Sequence, residues 1–188
     1  MQYLAGLKAD GYFDLRNEAY NYAFKIYDKD YEFLTIVAKL IKKYLKLEPR
    51  IYPRRNYRWY ELAIYSRQVV PELYELWHNL LKEPTTPFVR GLGDAEATII
   101  KDNPNRIKFT NRDLTIVNAF KKVLDELSIN YNYYIEKRRN GIDHVVRISG
   151  KTNISKYAQS IGFLHPNKRS RLILYWNIHS IPNLDKIL

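Results

Sequence analysis

The chain has 188 residues, 46% of them hydrophobic, which excludes a largely disordered polymer. Its 31 lysines and arginines against 20 aspartates and glutamates leave a net charge of +11, which fits a polyanionic partner such as nucleic acid better than an acidic small molecule. The absence of cysteine excludes disulfides and thiolate metal sites. The first residues lack the cationic start and long apolar core of a signal peptide, so we expect an intracellular protein, in the cytoplasm or an organelle.

The first part of the chain predicts the order helix, two strands, helix, two strands, helix. A short N-terminal helix precedes an alternating aromatic stretch that ends at Ile26. Asp30 is a suitable N-cap for the second helix, because an aspartate side chain can accept a hydrogen bond from the first unpaired backbone N–H groups. A hairpin is predicted from Arg50 to Arg67, with its turn at Arg54–Asn56, and a third helix begins near Pro71.

The same order recurs in the second part of the chain, which indicates a duplicated unit. Glu96 lies 86 residues after Asp10, and Asp113, the second predicted N-cap, lies 83 residues after Asp30. A second hairpin is predicted from Tyr131 to Ser149, with its turn at Arg139–Gly141. The near-equal offsets predict two copies that differ by a small change in a loop.

These patterns divide the chain into two halves. We predict an N-terminal half over residues 1–82, a linker over residues 83–87 whose two prolines end one helix and precede the next, and a C-terminal half over residues 88–188. The C-terminal half carries an additional helix from Lys168 to Ile178. The predicted fold class is α+β, with two pseudo-symmetric αββαββα halves.

Two acidic residues, Asp10 and Glu96, each close a short helix in the duplicated unit. A metal-assisted phosphodiester nuclease needs carboxylates near the scissile phosphates, because Mg²⁺ prefers hard oxygen ligands and neutralises charge on the attacking and leaving oxygens. Backbone carbonyls exposed at a helix end, here those of Ala9 and Ala95, add ligands, and the negative end of the helix dipole favours a cation. The sequence therefore predicts two or more Mg²⁺ ions, shared between two sites, on these four residues.

The segment Val89–Ala97, with the sequence VRGLGDAEA, resembles the nine-residue motif of the LAGLIDADG homing endonucleases. The first copy, Leu4–Gly11, resembles it with one residue fewer. The resemblance spans nearly the whole chain and is to the monomeric, two-motif type. It implies that the two motif helices form the interface between the halves, that the helices pack on two saddle-forming antiparallel sheets, and that Asp10 and Glu96 are the catalytic, metal-binding acids.

The shortened first copy leaves two registers for the helix crossing. Counting back from the acids places Ala5 and Ala9 in the first helix, and Gly91 and Ala95 in the second, at the small positions of the interface. We adopt this register because it needs no gap. It predicts that Gly6 lies away from the point of closest approach.

Two lysines and two polar residues are further candidates that the resemblance implies. Lys168 follows a stretch similar to the one that carries a family lysine near the cleavage site, where it polarises water or stabilises developing charge, and Lys82 is its catalytic counterpart before the second motif. An ordinary surface lysine is an equal reading for Lys168 and the favoured one for Lys82. Asp28 and Asn111 correspond to polar residues of the solvent pocket, whereas His78, His144, His165 and His179 show no ligand spacing and are expected to be packing or surface residues.

One face of each sheet must be free to enter a DNA groove if the other covers the helices. The candidate DNA contacts are the basic residues of the predicted strands and turns: Arg16, Lys25, Arg54, Arg55, Arg58, Lys101, Arg106, Lys108, Lys137, Arg138, Arg139 and Arg147. Residues 1–86 carry 14 basic and 11 acidic side chains, and residues 87–188 carry 17 and 9. We therefore expect the halves to bind an asymmetric site unequally.

The resulting hypothesis is a site-specific, Mg²⁺-dependent endonuclease of the intron-homing type that acts as a monomer on a long, asymmetric double-stranded DNA target. An RNA maturase that binds intron RNA and assists splicing on the same fold remains an alternative, since it can keep both acids. A non-catalytic DNA-binding regulator on the same scaffold would keep the basic sheets without needing both acids. An ordinary basic ribosomal or structural protein would leave the repeat unexplained.

Overall fold

The computed structural model describes residues 1–16, 22–54, 58–101 and 105–178. The first half consists of α1 (Gln2–Gly6), continued by a 3₁₀ turn (Leu7–Asp10), then β1 (Gly11–Asp14), β2 (Ala23–Asp28), α2 (Tyr31–Leu45), β3 (Arg50–Pro53), β4 (Tyr60–Tyr65) and α3 (Val69–Lys82). The second half consists of α4 (Thr86–Glu96), β5 (Ala97–Ile100), β6 (Arg106–Asn111), α5 (Leu114–Glu126), β7 (Asn132–Arg138), β8 (Gly141–Ser149), α6 (Lys151–Ser160) and α7 (Pro166–Trp176). The predicted order of elements is confirmed in both halves.

Each half contains one four-stranded antiparallel sheet, with the strand orders β1-β2-β4-β3 and β5-β6-β8-β7. Successive side chains of a strand point to opposite faces, so one face of each sheet is apolar. Phe24 pairs with Ile64 in the first sheet, Phe109 pairs with Val146 in the second, and all four are buried. The predicted α+β fold, with helices on one face of each sheet, is confirmed.

The two predicted N-caps are confirmed. A carboxylate oxygen of Asp30 accepts a hydrogen bond from the Phe33 N–H at 3.1 Å, and one of Asp113 accepts from the Thr115 N–H at 2.8 Å. Each cap satisfies a backbone donor that the first turn of a helix leaves unpaired. The two aspartates thus fix the residues at which α2 and α5 begin.

Two element boundaries differ from the predicted ones. Pro87 does not precede α4 but lies in its first turn, a position that tolerates proline because the N–H there has no helical partner. The last helix begins at Pro166, two residues before the predicted start, for the same reason. The turn predicted at Arg54–Asn56 lies mostly outside the described residues. None of the described helices combines the length and the apolar character needed to cross a membrane.

The crossing of α1 and α4 shows that the predicted register was wrong. A Cβ atom added to Gly6 would lie 2.2 Å from the carbonyl oxygen of Phe88, and one added to Gly91 would lie 2.3 Å from the carbonyl oxygen of Tyr3. The same added atoms would approach the Cα of the opposite glycine to 2.9 Å. Gly6 and Gly91 therefore form the closest approach, and Ala5, although buried, does not.

The 3₁₀ turn explains how the shortened motif keeps its acid in place. Asp10 follows Gly6 by four residues, whereas Glu96 follows Gly91 by five. Four 3₁₀ residues advance the chain by about 8 Å and rotate it by about 480°, close to the roughly 7.5 Å and 500° of five α-helical residues. The tighter helix at Leu7–Asp10 thus compensates for the missing residue.

Alanine at Gly6 should destabilise the protein, although a glycine-to-alanine change inside a helix ordinarily stabilises. The added methyl group would overlap the backbone of α4, so we expect Gly6→Ala to lower the free energy of unfolding by about 1–3 kcal/mol, against a usual gain of about 1 kcal/mol. Thermal denaturation would measure the change. Asn79→Ala, at an exposed position of α3, serves as the control and should leave the melting temperature nearly unchanged.

Candidate active site

The two acids of the repeat lie at adjacent helix ends, where the halves meet. Asp10 ends the 3₁₀ turn after α1, and Glu96 is the last residue of α4. Burial, followed by the negative charge of Asp10, raises the pKa of Glu96 to about 8. Burial raises the pKa of Asp10 to about 6. The charge of Lys168 opposes this shift, and the charge of Asp28 adds to it. The pKa of Glu96 is therefore raised by an acid of the other half, and that of Asp10 by Asp28 of its own half.

A polar side chain from the end of a strand lies beside each acid. In the second half, the Asn111 side-chain amide donates to a Glu96 carboxyl oxygen at 2.7 Å. In the first half, Asp28 occupies the equivalent place at the end of β2, and its charge acts on Asp10. The two positions that the resemblance assigned to a solvent pocket are thus next to the acids, one neutral and one acidic.

Lys168, at the start of α7, reaches the same place. Its amine donates to the carbonyl oxygen of Gly93 at 3.2 Å and also to that of Asp94, both near the C-terminal end of α4. Burial lowers the pKa of Lys168, against the opposing charges of nearby acids that include Asp10 and Glu96. The structure therefore brings Lys168 together with both predicted acids.

Lys82, the predicted counterpart, is not brought to the acids. It is exposed at the C-terminal end of α3, four residues before α4, and its carbonyl oxygen accepts from Lys122 at 3.3 Å. The 11 residues of α4 separate that end from Glu96 by roughly 16 Å. The length of α4 thus places Lys82 at the wrong end of the motif helix.

Lys8, which the sequence reasoning did not select, lies close enough to Glu96 for their charges to interact. Burial lowers its pKa, and the charges of Asp113 and Glu96 act against that shift. Its amine also lies 5.1 Å from the centre of the Trp77 ring. The signal that could have identified it is a lysine inside the shortened motif, two residues before the acid.

Asp94, for which the sequence analysis predicted no role, is a buried acid of the second motif. It is 1% exposed and accepts hydrogen bonds from the Tyr3 hydroxyl at 2.8 Å, the Leu164 N–H at 3.0 Å and the His165 N–H at 3.1 Å. Burial raises its pKa, and the charge of Lys168 and these donors oppose the rise. Asp94 thus joins α4, α1 and the segment that leads to Lys168.

The donor set at the helix ends fits a hard divalent cation. Among the described residues, no group of three or more histidine or acidic side chains could hold a metal alone. Magnesium commonly uses one or two carboxylates and completes its shell with water and substrate phosphates. Asp10 and Glu96, with the carbonyls of Ala9 and Ala95 as predicted additions, meet that requirement, and a cation would relieve the repulsion between the two carboxylates.

The open face of the second sheet carries several of the predicted DNA contacts. Lys108 pairs with Arg147 across β6 and β8, and both alternate with buried residues. Lys108 lies 2.6 Å from Glu136, and the Arg147 guanidinium lies 5.7 Å from the centre of the Tyr134 ring. A depression of about 680 Å³ runs from Glu96 past these strands, lined by Thr98, Ile100, Lys108, Thr110, Asn111, Arg112, Arg138 and Asp143. The basic face and the acid therefore share one groove.

The open face of the first sheet is richer in tyrosine. Lys25 and Arg54 both face Glu61, at 3.5 Å and 3.8 Å, and Arg16 donates to the Tyr12 hydroxyl at 2.7 Å. The strand register places four tyrosines on this face: Tyr12, Tyr27, Tyr52 and Tyr65. Arg50, which the sequence reasoning missed, shares the face, because it pairs with Ala63 next to Lys25.

The remaining predicted contacts are placed differently. Lys137 shares a face of β7 with Tyr133, whose ring lies against Lys121 of α5, so it is on the helix side of the sheet. Lys101 lies over Tyr175 of α7, at 5.6 Å, also on the helix side. Both were selected by charge alone, whereas strand alternation places them away from the open face. Of the other predicted contacts, Arg106 and Arg138 lie on the open face of the second sheet. Arg139 lies in the β7–β8 turn, and Arg58 is exposed before β4. Arg55 lies outside the described residues.

The raised pKa of Glu96 predicts how the stability of the metal-free protein depends on pH. The unfolded chain releases this proton near its ordinary value of 4.5 and the folded chain near 8, so the stabilisation by this group is lost as the pH rises between them. Glutamine keeps the acceptor for Asn111 and removes the ionisation. We expect Glu96→Gln to raise the melting temperature in chelator at about pH 9 but not at about pH 4.5.

Asp10→Asn should show the same trend with a smaller amplitude, because the pKa of Asp10 is raised only to about 6. Wild-type and Glu96→Gln profiles that run parallel across this range would contradict the interpretation.

The chain is similar to a known domain family and to solved structures. Residues 83–162 match the family model described as a LAGLIDADG-like domain. No protein of curated function matches the sequence significantly. The homing endonuclease I-DmoI, in a complex with DNA and Mn, has a TM-score of 0.67 and 18% identity over 86% of this chain and 94% of its own.

Two other structures have the same fold at lower identity. The homing endonuclease I-WcaI, bound to its DNA recognition sequence, has a TM-score of 0.64 and 11% identity over 91% of this chain and 84% of its own. Full-length DUF199/WhiA from Thermatoga maritima has a TM-score of 0.59 and 14% identity over 98% of this chain and 63% of its own. The resemblance to the LAGLIDADG family is confirmed: residues 83–162 match the model of a LAGLIDADG-like domain, and the chain as a whole has the same fold as the homing endonuclease I-DmoI.

Proposed function

We propose that the chain is a site-specific endonuclease that hydrolyses both strands of double-stranded DNA with Mg²⁺. The supporting observation is the meeting of Asp10 and Glu96, one from each half, beside a groove that runs from Glu96 along the open face of the second sheet. I-DmoI and I-WcaI, which share the fold, are complexes with DNA, and I-DmoI has been crystallised with Mn, Mg and Ca. We further propose that the protein acts as a monomer in intron homing, on a long target whose half-sites differ.

The residues around the acids have separate roles in this proposal. Asp10 and Glu96 would hold Mg²⁺, which supplies charge neutralisation at the attacking and leaving oxygens when it is bound. The amide of Asn111 fixes one oxygen of Glu96 and so leaves the other free to face the groove. The ammonium of Lys168, anchored on the carbonyls of Gly93 and Asp94, places a positive charge where negative charge develops on the phosphate.

Replacing either acid by its neutral amide should abolish cleavage and leave DNA binding unchanged. A pool of randomised duplexes would be selected for binding in Ca²⁺, and the recovered duplex would be incubated with the protein and Mg²⁺. We expect Asp10→Asn and Glu96→Gln to lose cleavage by at least about 100-fold, because metal ligands are removed while the sheets are untouched. Gel analysis of both strands measures cleavage, and fluorescence anisotropy measures binding.

Asp113→Asn, at a helix cap, is the matched control, because it removes a carboxylate near Glu96 and keeps an N-cap side chain. Full activity of both acid variants would refute the site. A wild-type protein that binds structured intron RNA tightly and cuts no duplex would favour the maturase, and one that binds DNA without cutting would favour the regulator.

The open faces predict how affinity depends on salt. Each phosphate contact adds about one to the negative slope of log affinity against log salt. Arg147→Ala should reduce that slope by about one. Tyr52→Ala, on the first sheet, should weaken binding and leave the slope unchanged, because tyrosine carries no charge. Lys121→Ala is the control, since Lys121 contacts Tyr133 on the helix side of the second sheet. An equal loss of slope with Lys121→Ala would show that bulk charge, rather than the open face, binds the phosphates.

A further inference from the structure

Residues 163–168, which lead into the first turn of α7, belong to the second half in sequence but also contact the first half. His165 is 7% exposed, and its ring is stacked on Phe33 of α2 with 4.5 Å between the ring centres. Its Nε2 lies 3.6 Å from an Asp28 oxygen, and its Nδ1 lies 3.7 Å from an Asp30 oxygen. The histidine thus faces both acidic residues at the junction of β2 and α2.

Other contacts hold Asp28 and this segment in place. One oxygen of Asp28 accepts from the Asp30 N–H at 2.7 Å, while the other faces His165. The Asn167 amide donates to Asp30 at 2.7 Å. Although burial opposes the shift, the contact with His165 and the backbone N–H hold the pKa of Asp28 below its ordinary value. Both oxygens of Asp28 are therefore engaged, one by a backbone N–H and the other by the imidazole.

The segment is fixed from the opposite side by Asp94. The Asp94 carboxylate accepts from the Leu164 and His165 N–H groups, while the Tyr3 hydroxyl of α1 donates to the same carboxylate. The His165 backbone is therefore tied to the motif helices, and its ring is tied to α2. A side chain held at both ends has little freedom to move away from Asp28.

The equivalent junction of the second half is built differently. The Asn111 side chain accepts from the Asp113 N–H at 2.8 Å, as Asp28 does from Asp30, but its amide donates directly to Glu96. His144, opposite Asn111 in β8, makes its contact with the Tyr133 hydroxyl at 2.7 Å. Asn111 thus contacts the acid of its own half directly, whereas Asp28 faces a histidine from the other half.

We propose that His165 is a positioning residue that the second half supplies to the Asp10 site of the first half. It holds Asp28 beside Asp10, and its loss slows the cutting of one DNA strand and spares the other. This inference rests on the proposed nuclease function. It means that residues 163–168 of the second half support the Asp10 site of the first half.

The test compares the rates of cutting of the two strands in one duplex. The duplex recovered from the randomised pool is labelled at the end of each strand in turn, and cleavage by excess protein in Mg²⁺ is followed over time. His165→Phe keeps a ring to stack on Phe33 and removes both ring nitrogens. We expect it to slow one strand about 10- to 100-fold and the other by less than about twofold, a range typical for the loss of a residue that supports a metal site from outside its ligands.

Two further variants identify the affected strand. Asp28→Asn should change the strand ratio in the same direction as His165→Phe, and Asn111→Ala should change it in the opposite direction. His165→Gln, which returns an amide donor near the place of Nε2, should restore part of the ratio. His78→Phe, at an exposed position of α3 next to Tyr74, is the matched control and should leave the ratio unchanged.

The strand ratio separates positioning from stability, because partial unfolding lowers both rates equally. Equal slowing of both strands by His165→Phe, or no slowing of either, overturns the inference while wild-type cleavage of both strands upholds the proposed function. A wild-type protein that cuts neither strand overturns the proposed function, and this inference with it.

Discussion

The backbone contact between Gly6 and Gly91 is the constraint on which the rest of the site depends. Because neither residue has a side chain, the two motif helices approach until backbone atoms of one meet backbone atoms of the other. Each acid follows its glycine by a fixed rise and rotation. The contact therefore sets the separation of Asp10 and Glu96. A side chain at the crossing would push the two helices apart and increase the distance between the acids.

This arrangement brings two carboxyl groups together in partly buried surroundings, which is unfavourable when both are ionised. The protein meets the cost in two ways. Protons remain on the acids to a higher pH than usual, as the raised pKa values of Glu96 and Asp10 show. Lys168 and Lys8 add positive charge nearby. A divalent cation would replace the protons, so the features that strain the metal-free site are those that favour metal binding.

The repeat, the order of elements and the placement of Asp10 and Glu96 at helix ends could be predicted from sequence, because they depend on local spacing. Apolar periodicity gave the helices, and Asp30 and Asp113 marked their starts through local hydrogen bonds. The register at Gly6 could not be chosen, since a missing residue fits either a shifted crossing or a tighter helix. The burial of Asp94 was also out of reach, because its partners Tyr3 and Leu164 lie 91 and 70 residues away along the chain.

Acidic side chains on both open faces bear on what these surfaces recognise. Glu61 faces Lys25 and Arg54 on the first sheet, and Glu136 faces Lys108 and Arg138 on the second. On a surface for non-specific binding of phosphates these carboxylates would only reduce the attraction. They do, however, hold flexible cations in fixed positions before a ligand arrives, which lowers the entropy lost on binding. A carboxylate can also accept from the amino group of cytosine, a contact that phosphates do not offer. For the proposed endonuclease, pre-positioned cations next to such acceptors are therefore suited to reading base edges as well as to binding the DNA backbone.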